Sequence, residues 1–132
     1  QRFDVVVTTN MFGDILSDEA SELSGSLGLA GAVNASDTHC MAQAQHGSAP
    51  DIAGQDKANP VSLILSAAML LDWIARRSPG RNNFARAAEA IEQSVDALVA
   101  DPARRTPDLR GPLGTKAYTE ALCAEIARRL AA

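Results

Sequence analysis

FDVVVTTNMFGDILSDE, residues 3–19, places a β-branched run directly before a stretch with helical spacing that carries two acids. Asp4-Val5-Val6-Val7-Thr8-Thr9 shows no polar–apolar alternation, which predicts a strand buried on both faces of a parallel sheet. Asn10 breaks the run and reads as a helix N-cap. From Phe12 onward Ile15, Leu16, Ala20 and Leu23 approximate one stripe, which predicts a helix with a core-facing side. Asp14 and Asp18 lie off that stripe, one turn apart on a shared face.

Like charges at this spacing weaken a helix by about 0.2–0.5 kcal/mol, so the pair asks for a reason. A hard divalent cation supplies one, because Mg2+ is held by one or two carboxylates together with substrate oxygens and water. The alternative is two solvated acids near a helix start, favoured there by the helix dipole. Spacing alone leaves both readings open.

With 132 residues the chain is at most one domain, and a complete fold of that size buries about two thirds of its unfolded surface. Hydrophobic residues at 46% and charged residues at 21% argue against disorder. The longest apolar run, residues 61–71, is interrupted by Ser62 and Ser66 and is too short to span a membrane. A net charge of −4 argues against nucleic acid as a partner, and Arg104, Arg105 and Arg110 are too few to reverse it. Cys40 and Cys123 form no metal or redox spacing and no export signal is present, which reads as a reduced cytoplasmic protein. The sequence opens without Met, straight into a buried-type strand, and offers few other strands to flank it. The expectation is the C-terminal part of a longer protein.

Beyond the first helix, residues 24–32 (SGSLGLAGA) read as a helix end and a turn. Short strands are expected at Ala32-Val33-Asn34-Ala35 and Met41-Ala42-Gln43-Ala44-Gln45. Asn59-Pro60 predicts a helix start, with Asn as cap, Pro at the first helical position and Leu63, Ala67, Leu70, Leu71 and Ile74 on the inner face, ending near Arg76-Arg77. After a turn at residues 78–82, Phe84, Ala87, Ala88, Ile91, Val95, Leu98 and Val99 trace a second amphipathic helix, stopped by Asp101-Pro102. Residues 106–114 (TPDLRGPLG) read as an ordered loop. Thr115 is then expected to cap a last helix with Tyr118, Ala121, Leu122, Ile126 and Leu130 inward.

Residues 46–54, HGSAPDIAG, hold too much Gly, Ser and Pro for regular structure and mark a shaped loop. Consecutive backbone N–H groups at Gly47, Ser48 and Ala49 suit an anion or a base edge, Pro50 stiffens the loop, and Asp51 offers a carboxylate to a diol. Such an aspartate accepts from a free ribose 2′-hydroxyl and repels a 2′-phosphate, so it favours NAD over NADP. The alternative is a structural loop in which His46 is a satisfied, partly buried imidazole.

FDVVVTTNMFGDILSDEAS followed by HGSAPDIAGQDKANPVSLILSAAML resembles the C-terminal portion of the metal-dependent β-decarboxylating dehydrogenases, the isocitrate and isopropylmalate dehydrogenase family. RRTPDLRG extends the likeness more loosely. The resemblance implies an α/β fold, an open mixed sheet with flanking helices, present here as an incomplete C-terminal fragment. It divides the chain into a metal-binding strand–helix unit at residues 1–31, and an NAD-binding loop with C-terminal helices at residues 32–132. It implies NAD-dependent oxidative decarboxylation of a 2-hydroxy dicarboxylic acid such as 3-isopropylmalate or isocitrate. Mg2+ or Mn2+ would act there as a Lewis acid.

Asp14 and Asp18 match the family's metal-binding acids, and His46, Gly47, Ser48, Ala49, Pro50, Asp51, Ile52 and Asn59 match its adenosine-binding segment. NADP-using relatives carry a basic residue at the position of Asp51, so the implied cofactor is NAD. The resemblance further implies a homodimer formed through the helix around Asp14, with active sites shared between subunits.

Two departures follow. Gln43-Ala44-Gln45 stands where the family usually has an acidic residue and a proline, which affects contacts near the nicotinamide end. The substrate-binding arginines, the catalytic Tyr and Lys and a third metal-binding acid belong to upstream segments, so no catalytic residue is assigned and the isolated chain is expected to show no turnover. The competing functional class is a noncatalytic truncated or regulatory-type module that keeps the nucleotide-binding fold without activity.

Overall fold

The computed structural model describes residues 3, 5–25, 27–78, 80 and 82–131. In chain order these form helix α1 (Asn10–Ser24), strands β1 (Gly31–Ala35) and β2 (Cys40–Ala44), and helices α2 (Val61–Arg77), α3 (Asn82–Ala100) and α4 (Thr115–Ala131). Single-turn 3-10 helices lie at Leu27–Leu29, Pro50–Ile52, Pro102–Arg104 and Pro107–Leu109.

The strands pair antiparallel, with Val33 opposite Ala42 and Ala35 opposite Cys40, and the hairpin packs on α2. Small and polar residues make that contact. Ser62 and Ser66 are fully buried on α2, and the Ser62 hydroxyl donates to Ala30 O. Ser66 Oγ lies 2.7 Å from Gln43 O and accepts the Ala32 N–H at 2.9 Å, so one hydroxyl engages both strands. A Cβ on Gly31 would stand 3.0 Å from Leu65 Cβ, which shows how closely the strand approaches the helix. The inner face of α2 is therefore Val61, Ser62, Ser66 and Ala68. This corrects the expected stripe, since Leu63 and Ala67 are exposed. The helix is apolar over most of its circumference, so the close backbone approach chooses the face.

The core proper joins α2, α3 and α4 through Val61, Val95, Leu98, Tyr118 and Leu122, with Leu29, Ile64, Leu65, Leu113 and Ile126 packed around it. α3 ends at Asp101-Pro102 as expected, and the Asp101 carboxylate accepts the Ala103 N–H at 3.0 Å. On α4, Leu130 is exposed rather than inward.

The opening stretch departs most from expectation. Residues 5–9 are exposed and form no strand, and Asp4 lies outside the described residues. Two of a strand's requirements fail: Val7 is 90% exposed, and the described sheet is the β1–β2 pair alone, with no strand beside residues 5–9. Thr9 rather than Asn10 takes the N-cap position of α1, without a side-chain cap bond. The stripe Phe12, Ile15, Leu16 and Leu23 forms on that helix as its spacing requires. It is exposed, however, since the main element packed on α1 is the 3-10 turn at Leu27–Leu29.

Candidate nucleotide cleft and acid pair

Between β2 and α2 the chain bends around a cleft of about 740 Å³, a size typical of small-ligand sites. His46, Gly47, Ser48, Ala49, Ile52 and Asn59 line it, as do Ala53, Gly54, Asp56, Lys57 and Ala58. Gly28, Asp108, Thr115 and Lys116 close the remaining wall. Of the residues read from the sequence, Pro50 and Asp51 stand apart from the lining; they occupy the 3-10 turn between Ala49 and Ile52, with Asp51 exposed. That turn is set by Ala49, whose left-handed φ of 42° reverses the chain and whose carbonyl accepts the Ile52 N–H at 3.1 Å.

His46 is exposed, not partly buried. Its Nδ1 lies 2.9 Å from Gly47 O; a carbonyl only accepts, so Nδ1 carries the proton and the neutral ring keeps Nε2 as an acceptor. Gly47 has open space where a Cβ would stand, so nothing in the fold itself demands glycine there. Asn59 has two tasks. Its Oδ1 accepts the Val61 N–H at 3.0 Å, although Pro60 rather than Asn59 takes the N-cap position of α2 and the helix begins at Val61, one residue later than expected, while Nδ2 donates to Asp108 Oδ2 at 2.9 Å. Gly28 packs against the same pair, and a Cβ on it would come within 3.1 Å of Asn59.

Asp56 holds the far wall. It adopts a left-handed φ of 56°, its carbonyl accepts the Thr115 N–H at 3.1 Å, and its Oδ1 accepts the Lys116 N–H at 2.9 Å. At the first turn of α4 the carbonyl thus takes one free N–H and the carboxylate another, with the carboxylate at the positive end of the helix dipole. Thr115 itself does not cap α4: its hydroxyl donates to Ala58 O, again tying helix to loop. The approach requires glycine at 114, where a Cβ would stand 2.5 Å from Asp56 Oδ2 and 2.6 Å from Asp56 O. Tyr118, one turn further along α4, is fully buried, and its OH has no partner among the described residues. Burial pushes its phenol up to about 12, an effect that Arg104 opposes and Asp108 adds to.

Sequence reasoning missed the wall formed by Gly28, Asp56, Lys57, Asp108, Thr115 and Lys116. The available signals were the looser RRTPDLRG likeness and the Gly114-Thr115 pair before the last helix.

Asp14 and Asp18 are both exposed on α1. Asp18 Oδ1 accepts from Gln45 Nε2 at 3.2 Å, which brings this acid to the residue before His46. As a donor set, two hard carboxylates fit Mg2+ or Mn2+ when substrate oxygens and water complete the shell. Among the described residues no group of three or more His, Cys, Asp or Glu converges. Nor is any helix among the described residues long and apolar enough to cross a membrane.

The profile of the isocitrate/isopropylmalate dehydrogenase family matches residues 1–126. The isocitrate/homoisocitrate dehydrogenase of Thermus thermophilus is 51% identical over 92% of this chain and 34% of its own length. The 3-isopropylmalate dehydrogenase of Salinibacter ruber is 47% identical over 99% of this chain and 33% of its own length. Among solved structures, isocitrate dehydrogenase from Methylococcus capsulatus superposes with a TM-score of 0.82 at 42% identity, over 95% of this chain and 35% of that one. The chain spans about a third of the length of these relatives, and its helix-rich structure with a two-stranded sheet is part of their α/β fold. It belongs to the isocitrate/isopropylmalate dehydrogenase family.

Proposed function

We propose that this chain supplies the metal- and NAD-binding part of a dehydrogenase that oxidatively decarboxylates a 2-hydroxy dicarboxylic acid, isocitrate- or 3-isopropylmalate-like. The observation that carries the reading is the cleft, lined by His46, Gly47, Ser48, Ala49, Ile52 and Asn59, the residues that match the family's adenosine segment. Residues 1–31 are the acid-bearing unit and residues 32–132 the nucleotide-binding unit.

Within this reading the loop N–H groups of residues 47–49 and the Asn59 backbone receive the adenosine. Asp51, beside the lining residues, accepts from the ribose 2′-hydroxyl and repels a 2′-phosphate, which selects NAD. Asp14 and Asp18 would hold Mg2+ or Mn2+. When bound, the metal supplies Lewis acidity to the reacting oxygens. Phe12, Ile15 and Leu16 expose an apolar face on α1 that a second copy would cover in a two-fold dimer.

The test is an assay of the protein as its host makes it, with isocitrate, homoisocitrate or 3-isopropylmalate, NAD and Mg2+, following NADH and released CO2. Turnover of one acid, lost on chelation of the metal, supports the reading. Saturable NADH binding with no turnover of any of them replaces it with the noncatalytic module.

A further inference from the structure

We propose that Gln45 is a positioning residue for Asp18, holding the acid's carboxylate in a fixed orientation from the base of the nucleotide loop. The inference rests on the metal-binding reading of Asp18 given above. The Gln45 backbone is anchored first: its N–H donates to Ser62 Oγ at 3.2 Å, and Ser62 is fully buried on α2. From that fixed point the side chain crosses to α1, where Nε2 lies 2.9 Å from Ser17 Oγ and 3.2 Å from Asp18 Oδ1. Carboxylates accept only, so the NH2 end of the amide faces Asp18, and its two hydrogens serve the two oxygens. Ser17 passes the chain on, since its hydroxyl donates to Asp14 O at 3.0 Å. One amide thereby engages the turn of α1 that carries both acids.

The chemistry of the donor decides its use. A neutral amide fixes one carboxylate oxygen and leaves the acid's charge and its other oxygen to a cation, whereas a Lys or Arg here would neutralise the acid and compete with the ion. Hydrogen bonds of this kind to ligating carboxylates orient them and strengthen metal binding. Gln45 does not itself line the cleft.

The experiment uses the protein as its host makes it, with Gln45→Met, which keeps the side chain's length but removes the donor, Gln45→Val as a second replacement, and Asp18→Asn. Mn2+ affinity is read from the EPR signal of free Mn2+ without nucleotide, and NADH affinity from fluorescence without metal. Both Gln45 variants are expected to bind Mn2+ about 10-fold more weakly or worse, with NADH affinity held within about twofold because Ser62 still fixes the loop backbone. Unchanged Mn2+ affinity in both Gln45 variants, with Asp18→Asn impaired, overturns the positioning role and leaves the metal reading intact. Unchanged affinity in Asp18→Asn, or no Mn2+ binding by the parent protein, overturns the metal reading and this role with it. Equal losses of Mn2+ and NADH affinity assign the effect to the fold and overturn the role as well.

Discussion

Two glycines separate what the fold needs from what a ligand needs. Gly114 sits where a Cβ would collide with Asp56, so Gly114→Ala is expected to cost about 1–3 kcal/mol of stability in thermal unfolding. At Gly47 the same position is open space; Gly47→Ala should leave stability within about 0.5 kcal/mol while weakening NADH binding, and an unweakened titration would remove the loop N–H groups from the nucleotide contact. Tyr118 makes a pH prediction. Its phenol ionises near 10 when unfolded but at about 12 in the fold, so the unfolded chain releases the proton first and stability falls as pH rises from 10 toward 12. Tyr118→Phe removes that fall, and because the OH is buried without a partner among the described residues the substitution costs little at pH 7; a chemical-denaturation series across pH checks both. Asp56 shows the limit of local reading. An acid in a polar loop carries no sign of its role when the helix it caps begins 59 positions later, at Thr115.

At the scale of elements, helix existence was legible and helix orientation was not. Asp101-Pro102 stops α3 and Asn59-Pro60 precedes α2 through steric and capping rules that act over a few residues, with the α2 start displaced by one residue so that Pro60 is the N-cap. The face of α2 depends instead on a partner distant in sequence. Its apolar residues surround the helix, so periodicity pointed to Leu63 and Ala67, while the buried serines pair with a hairpin edge that only the fold brings near. Ser66→Ala should therefore cost about 1–3 kcal/mol, since it leaves Ala32 N–H without its acceptor in a half-buried interface. A loss under about 0.5 kcal/mol would place that N–H in water. The cleft was half legible for the same reason: the lining residues His46 to Ala49, Ile52 and Asn59 were legible, and the wall from Gly28, Asp56, Lys57, Asp108, Thr115 and Lys116 was not.

At the scale of the whole molecule, the apolar residues of α1 carry the remaining argument. A hydrophobic stripe predicts burial, but it does not say within which chain; Phe12, Ile15 and Leu16 are each about half exposed here. If that face meets a second copy, Ile15→Asp should shift the protein toward the monomer in sedimentation equilibrium and leave the α2–α3–α4 core folded by circular dichroism. The same holds for residues 5–9, a β-branched run that is exposed with no strand beside it among the described residues. The proposed function stands on the cleft, which the 46–59 segment, Gly28, Asp108 and the start of α4 enclose. Titration of the protein with NADH and with NADPH, repeated on Asp51→Lys, tests it most directly. The account predicts saturable binding with NADH preferred, and a preference moved toward NADPH by the substitution. No binding of either nucleotide, or a preference that Asp51→Lys leaves unchanged, would contradict it.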